Sequence, residues 1–195
     1  MKIYEAGLYH ICNRGNNSQP IFYNGNDYQQ FVDSSYKYLV PNCQILAWCL
    51  MPNHFHFLLE ANEKSLEPII WGGNEMTSLT NGFQLLQSNY AKLINNKINR
   101  TGSLFQQKTK AKFLENKNYA MTAFRYIHQN PVKANLVDKM EDWNYSSYNE
   151  YCGLPSSIKL SNVELGKAIF EFEVTDFNGL ISGDVSEGDV EDIFL

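Results

Sequence analysis

Long uninterrupted apolar segments are missing from this 195-residue sequence. A membrane-spanning helix needs about 20 consecutive apolar residues, whereas the two most apolar segments, 45–52 and 55–59, are separated by Asn53 and His54. Glu5 and His10 interrupt the apolar stretch that a signal peptide would require. The sequence therefore predicts a cytoplasmic protein with no membrane partner.

Closely spaced cysteine pairs are also missing. The four cysteines form no C-x-x-C motif, and the nearest two are Cys43 and Cys49. This spacing argues against a zinc ribbon and against the disulfide framework of a small secreted domain. Because a chain of this length can bury enough surface to fold without cross-links, we expect reduced cysteines that lie mostly in the core.

Acidic residues are scarce in one part of the chain and abundant in another, although the formal net charge is −5. Residues 155–195 hold nine acidic residues and two lysines, a net charge of −7, whereas residues 90–133 hold nine basic residues and one acid, a net charge of +8. The basic surplus could attract a polyanion. A basic segment by itself is, however, more often a solvated surface.

The change in composition after Pro155 predicts a domain at residues 1–154 and an acidic C-terminal appendage at residues 155–195. Apolar residues are interspersed with the acids of this appendage, around Ile169, Phe170 and Phe172. The composition favours a partly ordered segment. It also leaves open that the appendage packs on the domain, covers its basic surface or mediates contacts in a dimer.

Apolar periodicity predicts an alternation of strands and helices. The predicted strands cover 7–13, 44–50, 54–60 and 110–114. The predicted helices run from a cap at Asp27 to before Pro41, from Met76 to Ile98, and from a cap at Asn116 or Asn118 to about Gln129. This order predicts an α+β fold with an antiparallel sheet and helices packed on one face.

Two histidines, His54 and His56, flank Phe55 in a predicted strand. Because alternate residues of a strand point to the same face, both imidazoles lie on one face, with Cα atoms about 6.6 Å apart. Imidazole suits zinc, copper, iron and nickel, whereas magnesium and manganese prefer oxygen, so the spacing does not identify a metal. By itself, an H-x-H motif is more often a pair of surface or hydrogen-bonded histidines.

Tyr126 and Asn130 are four positions apart in the last predicted helix and therefore share one of its faces. A tyrosine hydroxyl is a competent nucleophile for phosphoryl transfer when a cation neutralises the phosphate under attack. A tyrosine of an amphipathic helix is more often a packing residue. The pattern alone therefore favours packing over catalysis.

Taken together, four segments resemble the single-tyrosine transposases of the HUH superfamily, and most closely the REP-associated tyrosine transposases. They are residues 48–59 (WCLMPNHFHFLL), 102–108 (GSLFQQK), 125–134 (RYIHQNPVKA) and 143–148 (WNYSSY). Residues 9–17 (YHICNRGNN) fit the first strand of that family, so the resemblance covers about residues 7–152. It implies a ferredoxin-like or RRM-like antiparallel sheet with the H-x-H strand near its centre.

The resemblance also implies a function and a site. Tyr126 matches the family's nucleophile, and His54, His56 and Asn130 match its ligands for a divalent metal, Mg or Mn. The implied reaction is nicking and strand transfer of single-stranded DNA with hairpin ends through a 5′-phosphotyrosine intermediate, by a protein that joins the nucleoid when bound to DNA. A homodimer is left open.

Basic side chains are expected to follow the DNA backbone. The candidates are Arg14, Lys92, Arg100, Lys108, Lys110, Lys112, Arg125 and Lys133. Two other functions remain open, a non-catalytic (domesticated) nucleic-acid-binding protein on an RRM-like sheet and a relaxase- or replication-initiator-like nuclease. The intact Tyr126 and histidines argue against the first, and the second normally occurs in a longer chain with accessory domains.

Overall fold

A four-stranded antiparallel sheet forms the centre of the computed structural model, which describes residues 1–183 and residue 185. The strands are β1 (Gly7–Arg14), β2 (Gln44–Met51), β3 (His54–Ala61), β4 (Pro68–Trp71), β5 (Asn74–Thr77) and β6 (Lys110–Phe113). The order in the main sheet is β2-β3-β1-β6, and β4 pairs with β5 in a separate hairpin. The H-x-H strand, β3, is therefore an inner strand.

Seven α-helices and three short 3₁₀ helices complete the described part of the chain. The α-helices are α1 (Gly25–Tyr38), α2 (Glu63–Leu66), α3 (Ser78–Lys97), α4 (Lys117–Lys133), α5 (Tyr148–Tyr151), α6 (Val163–Phe170) and α7 (Phe177–Ile181). The 3₁₀ helices are Asn16–Ser18, Met140–Asp142 and Val174–Asp176. Within the described residues, none of the helices has both the length and the apolar character of a membrane span.

Two split βαβ units, β1-α1-β2 and β3-α3-β6, give the sheet its ferredoxin-like topology. The α1 and α3 helices cover one face of the sheet, where Phe31 and Phe83 pack with Tyr9, Ile11 and Phe57 in a buried cluster. The predicted α+β class, the antiparallel sheet and the helical layer on it are confirmed.

A second helical layer lies on the opposite face. Phe124 and Ile127 of α4 pack there against Leu46 and Cys49 of β2 and Leu58 of β3. Because β2 is apolar at nearly every position (QILAWCLM), both of its faces need cover. The helix that carries Tyr126 therefore packs on the sheet face opposite α1 and α3, an addition to the one-sided packing that the sequence predicted.

The N-terminal cap of α1 differs from the predicted one. The Asn24 side chain accepts a hydrogen bond from the Asp27 backbone N–H, so the helix begins at Gly25. Asp27 is fully buried and pairs with Lys97 Nζ at 2.5 Å. The carboxylate predicted to cap α1 instead ties its start to the end of α3, a long-range contact that local sequence does not reveal.

Helix α4 begins with the predicted cap at Asn116 but continues beyond Gln129 through Pro131 to Lys133. Proline removes only its own backbone donor, and the helix resumes because Ala134 N–H donates to Asn130 O at 2.9 Å. The predicted end of this helix was therefore too early. As a result, Asn130 lies within the helix, and its side chain is on the same helix face as Tyr126, one turn earlier.

The acid-rich C-terminal region packs on the rest of the protein as far as it is described. Ile158 and Leu160 join the cluster under α1 and α3. Phe170, Phe177 and Ile181 join the cluster around α4. Of the arrangements left open for this region, packing on the body is present in residues 156–183, whereas the division at residue 154 and the dimer stay predictions.

Candidate metal and nucleophile site

The two histidines of β3 point to the α4 side of the sheet, on one face as predicted. Their ring centroids are 4.9 Å apart and the rings are nearly perpendicular. Burial lowers the pKa of His54 to about 4 and the pKa of His56 well below its usual value, and Arg14 acts in the same direction on both. Both imidazoles are therefore neutral at pH 7, which is the form that binds metals.

Hydrogen bonds select the tautomer of each histidine. Asn53 Nδ2 donates to Ser18 O at 3.3 Å, which turns Asn53 Oδ1 toward His54 Nδ1 at 2.6 Å. Because a carboxamide oxygen only accepts, His54 carries its proton on Nδ1. His56 Nδ1 lies 3.0 Å from His10 Nε2, so His10 can accept the Nδ1 proton of His56. Both β3 histidines can then present the Nε2 lone pair.

Tyr126 and Asn130 reach the same place from α4. The Tyr126 ring meets the His56 ring edge to face, with centroids 5.6 Å apart at 87°. Burial raises the pKa of the Tyr126 phenol, and the neighbouring Asn130 side chain lowers it by a smaller amount. Asn130 is buried, and its Nδ2 has no hydrogen-bond partner. Such a buried polar atom is typical of a site for an ion, water or substrate.

Two residues of β1 that were not predicted as site residues also lie here. Cys12 pairs directly with His56 across the sheet, and His10 is two residues earlier on the same face. His10, Cys12 and His56 each offer one ligand atom within 4.8 Å of the others, an arrangement that can hold a metal ion. The H-I-C alternation in β1 was a visible signal, but the strand register was needed to place it beside His56.

The oxygen- and nitrogen-rich set of His54, His56 and Asn130 differs chemically from the set that includes Cys12. Burial raises the pKa of the Cys12 thiol to about 11, although Lys110 and Arg14 lower it. The thiol is therefore protonated at pH 7 and a poor ligand for magnesium or manganese, which prefer oxygen. All four cysteines are free, and Cys43 and Cys49 are buried, as expected.

Several of the predicted basic residues gather around this site. Arg14 pairs with His54 across the sheet, and Lys110 and Lys112 pair with Cys12 and His10 from the other side of β1. Paired residues of neighbouring strands share a face, so these three cations lie on the site's face. Lys133 Nζ lies 6.0 Å from the centre of the Tyr126 ring.

The other basic candidates lie elsewhere or have protein partners. Lys92 is exposed on α3, which covers the opposite face, and Lys108 is exposed in the loop before β6. Arg100 donates to Asn95 Oδ1 and Ser103 O. Arg125 Nε donates to Leu180 O in α7 at 2.7 Å.

Comparison with solved structures shows what this fold resembles. A REP-associated tyrosine transposase bound to a REP hairpin superimposes with a TM-score of 0.61 and 17% sequence identity, over 84% of this chain and 91% of that chain. The resemblance inferred from the sequence motifs is thus confirmed in the fold. A bacterial tRNA(His) guanylyltransferase-like protein in complex with GTP aligns over 70% of this chain and 67% of its own, at 14% identity and a TM-score of 0.45.

Sequence comparisons add no family. No protein-family model matches the chain, and no curated protein sequence matches it.

Proposed function

We propose that this protein nicks and rejoins single-stranded DNA with hairpin ends, with Tyr126 as the nucleophile. The observation that carries the proposal is the edge-to-face contact between Tyr126 of α4 and His56 of β3, at 5.6 Å between ring centroids. It brings the candidate nucleophile to the candidate metal ligands from elements distant in sequence. The ferredoxin-like fold, shared with a tyrosine transposase bound to a hairpin, supports the same function.

The donor set could hold magnesium or manganese only together with oxygen ligands from the substrate and water. His54 and His56 supply two neutral imidazole nitrogens, and Asn130 supplies a carboxamide one helical turn after Tyr126. Substrate phosphate oxygens and water would complete the oxygen-rich shell that magnesium prefers. A magnesium or manganese ion held by these residues would neutralise the negative charge of the phosphate under attack.

Tyr126 carries the covalent step. Its Oη forms a bond to phosphorus while the bond from phosphorus to the 3′-oxygen breaks, which leaves a 5′-phosphotyrosine and a free 3′-hydroxyl. The phenol loses its proton in this step, and the departing 3′-oxygen gains one. Attack by another 3′-hydroxyl on the phosphotyrosine rejoins two strands without an external energy source.

Cations on the same sheet face would bind the DNA backbone next to the scissile phosphate. Arg14, Lys110 and Lys112 are exposed there, in register with His54, Cys12 and His10. Each phosphate contact of this kind contributes to affinity and makes binding weaker at high salt. The approach of DNA along β1 and β6 would place its backbone across the site.

The test is formation of a covalent adduct with a labelled, hairpin-bearing single strand in the presence of manganese, resolved on a denaturing gel. We expect an adduct with the native protein and none with Tyr126→Phe, since only the attacking oxygen is removed. Tyr119→Phe is the matched control, because Tyr119 is an exposed tyrosine of the same helix. A folded Tyr126→Phe protein that forms the adduct at the native rate would contradict the proposal.

The same experiment addresses the non-catalytic alternative. A protein that only binds nucleic acid would retain the labelled hairpin in a native gel shift but give no adduct at any metal concentration. Native protein with that behaviour would favour a domesticated binding protein over an enzyme.

A further inference from the structure

A second set of metal-binding atoms overlaps the first at His56. His10, Cys12 and His56 bring their ligand atoms within 4.8 Å of one another. Their positions follow from the antiparallel register, since Cys12 is directly opposite His56 and His10 precedes it by two residues on one strand face. Two imidazoles and a thiol on a rigid pair of inner strands form a compact set.

The spacing of the two nitrogens is close to that around a tetrahedral ion. His10 Nε2 and His56 Nδ1 are 3.0 Å apart, and two nitrogens bound to zinc at about 2.0–2.1 Å in a tetrahedron are about 3.3–3.4 Å apart. An ion can therefore replace the proton shared by these rings after a small opening of the pair. A thiolate ligand favours soft ions and disfavours magnesium and manganese.

We propose that His10 Nε2, Cys12 Sγ and His56 Nδ1 form a second site for a soft divalent ion such as zinc, and that its occupation excludes the ion held by His54, His56 and Asn130. The second half of this inference rests on the proposed function, because that function assigns the excluded ion. The first half, zinc binding through Cys12, stands on the geometry alone. Water or a further donor would take the fourth tetrahedral position.

The two ions exclude each other through the protonation of one ring. A neutral imidazole has one N–H and one lone pair. When zinc takes Nδ1 of His56, the ring proton moves to Nε2, which removes the lone pair that the other ion needs. The two sites can therefore be filled together only if His56 also loses its remaining ring proton. Separately, zinc binding releases the proton of the Cys12 thiol to solvent.

The experiment titrates the full-length protein with zinc chloride and, separately, with manganese chloride by calorimetry. We expect Cys12→Ser to weaken zinc binding by at least about tenfold, the lower end of the losses seen even for outer-shell changes at metal sites, and to retain manganese affinity. His54→Ala should show the reverse pattern. Cys152→Ser, which alters a free thiol that contacts Asn178 and belongs to neither ligand set, is the control and should change neither affinity.

Cobalt(II) provides a spectroscopic readout that does not depend on activity. Native protein and Cys152→Ser should show the near-ultraviolet sulfur-to-cobalt charge-transfer band, and Cys12→Ser should lack it. His10→Phe is the second variant, to be used if Cys12→Ser proves unstable. It keeps a planar ring beside His56 and should also weaken zinc binding. In the native protein, zinc should lower the apparent affinity for manganese. In Cys12→Ser, a higher zinc concentration should be needed for the same decrease in manganese affinity.

Three results would overturn parts of this inference separately. Equal zinc affinity in the native protein and in Cys12→Ser, with no sulfur band, would remove the second site. Unchanged manganese affinity in protein whose Cys12 site is filled with zinc would remove the mutual exclusion. A native protein that binds zinc through Cys12 but forms no Tyr126 adduct with manganese would contradict the proposed function and leave the zinc site standing.

Discussion

The two faces of β1 and β3 are built from alternate residues of the same strands, yet they have opposite characters. Tyr9, Ile11, Phe55 and Phe57 are fully buried under α1 and α3 and form part of an aromatic core. The intervening residues are histidines, a cysteine and an arginine, and they face α4 and its tyrosine. Because alternate residues of a strand point to opposite faces, one set of residues stabilises the fold and the neighbouring set forms the candidate site.

Phe57→Ala should give the largest effect on stability. Phe57 is fully buried against Phe83 and Phe55, and truncating a buried phenylalanine costs about 3–5 kcal/mol. Urea unfolding followed by circular dichroism measures the change. Phe57→Leu is the conservative control and should lose much less, whereas a Phe57→Ala protein as stable as the native one would contradict the core assignment of this face.

His54→Ala should reduce metal binding and cleavage strongly and stability only slightly. We expect manganese affinity to fall by at least about tenfold and cleavage to be lost, because one of two ligand imidazoles is removed. Calorimetry with manganese gives the affinity, and the unfolding midpoint should change far less than in Phe57→Ala. If both His54→Ala and His56→Ala bind manganese as the native protein does, these residues are not its ligands.

Acid should destabilise the protein through the histidines on the α4 side. Burial lowers the pKa of His128 to about 4, while the ring donates from Nδ1 to Phe124 O and accepts from Ser147 at Nε2. The unfolded state binds a proton near pH 6.5 and the folded state only near pH 4. The free energy of unfolding should therefore fall as pH decreases from about 6.5 to 4, by up to about 1.4 kcal/mol per unit for each such histidine.

His128→Gln isolates this contribution, since His128 is not a candidate ligand. Its unfolding free energy, measured by urea titration at several pH values, should depend less steeply on pH than that of the native protein. An identical pH dependence in the two proteins would show that folding does not shift the pKa of His128.

The smallest expected effect concerns the acidic C-terminal end, residues 186–195, which lie outside the described structure. Truncation after Val185 removes Glu187, Asp189, Glu191 and Asp192 and retains the packed residues. If these charges compete with DNA for the basic surface, truncation should raise affinity for non-specific single strands a few-fold at low salt. It should also steepen the dependence of log affinity on log salt.

A full-length variant with the same four acids replaced by their amides is the control for that truncation. It should show the same gain if charge is responsible. Equal affinity and equal salt slope in all three proteins would exclude electrostatic masking by this segment. Truncation after Pro155, by contrast, would remove Phe170 and Phe177 from the core and should lower the melting temperature.

Local patterns predicted the elements that carry the site. The alternation at residues 54–60 placed His54 and His56 on one strand face, and the helical spacing placed Asn130 one turn after Tyr126. Both relations are short-range consequences of backbone geometry, with periods of two and 3.6 residues. The β4–β5 hairpin was not predicted, because its strands are only four residues long and show no clear alternation.

Tertiary structure alone decided which residues surround His56. The sequence contains H-I-C in β1 and H-F-H in β3, but only the antiparallel register, with Cys12 opposite His56, turns two separate patterns into one cluster. Likewise, the position of Tyr126 over His56 depends on α4 packing on the face opposite α1 and α3. Strand pairing and helix packing join residues 44 to 70 positions apart, and no local propensity encodes such contacts.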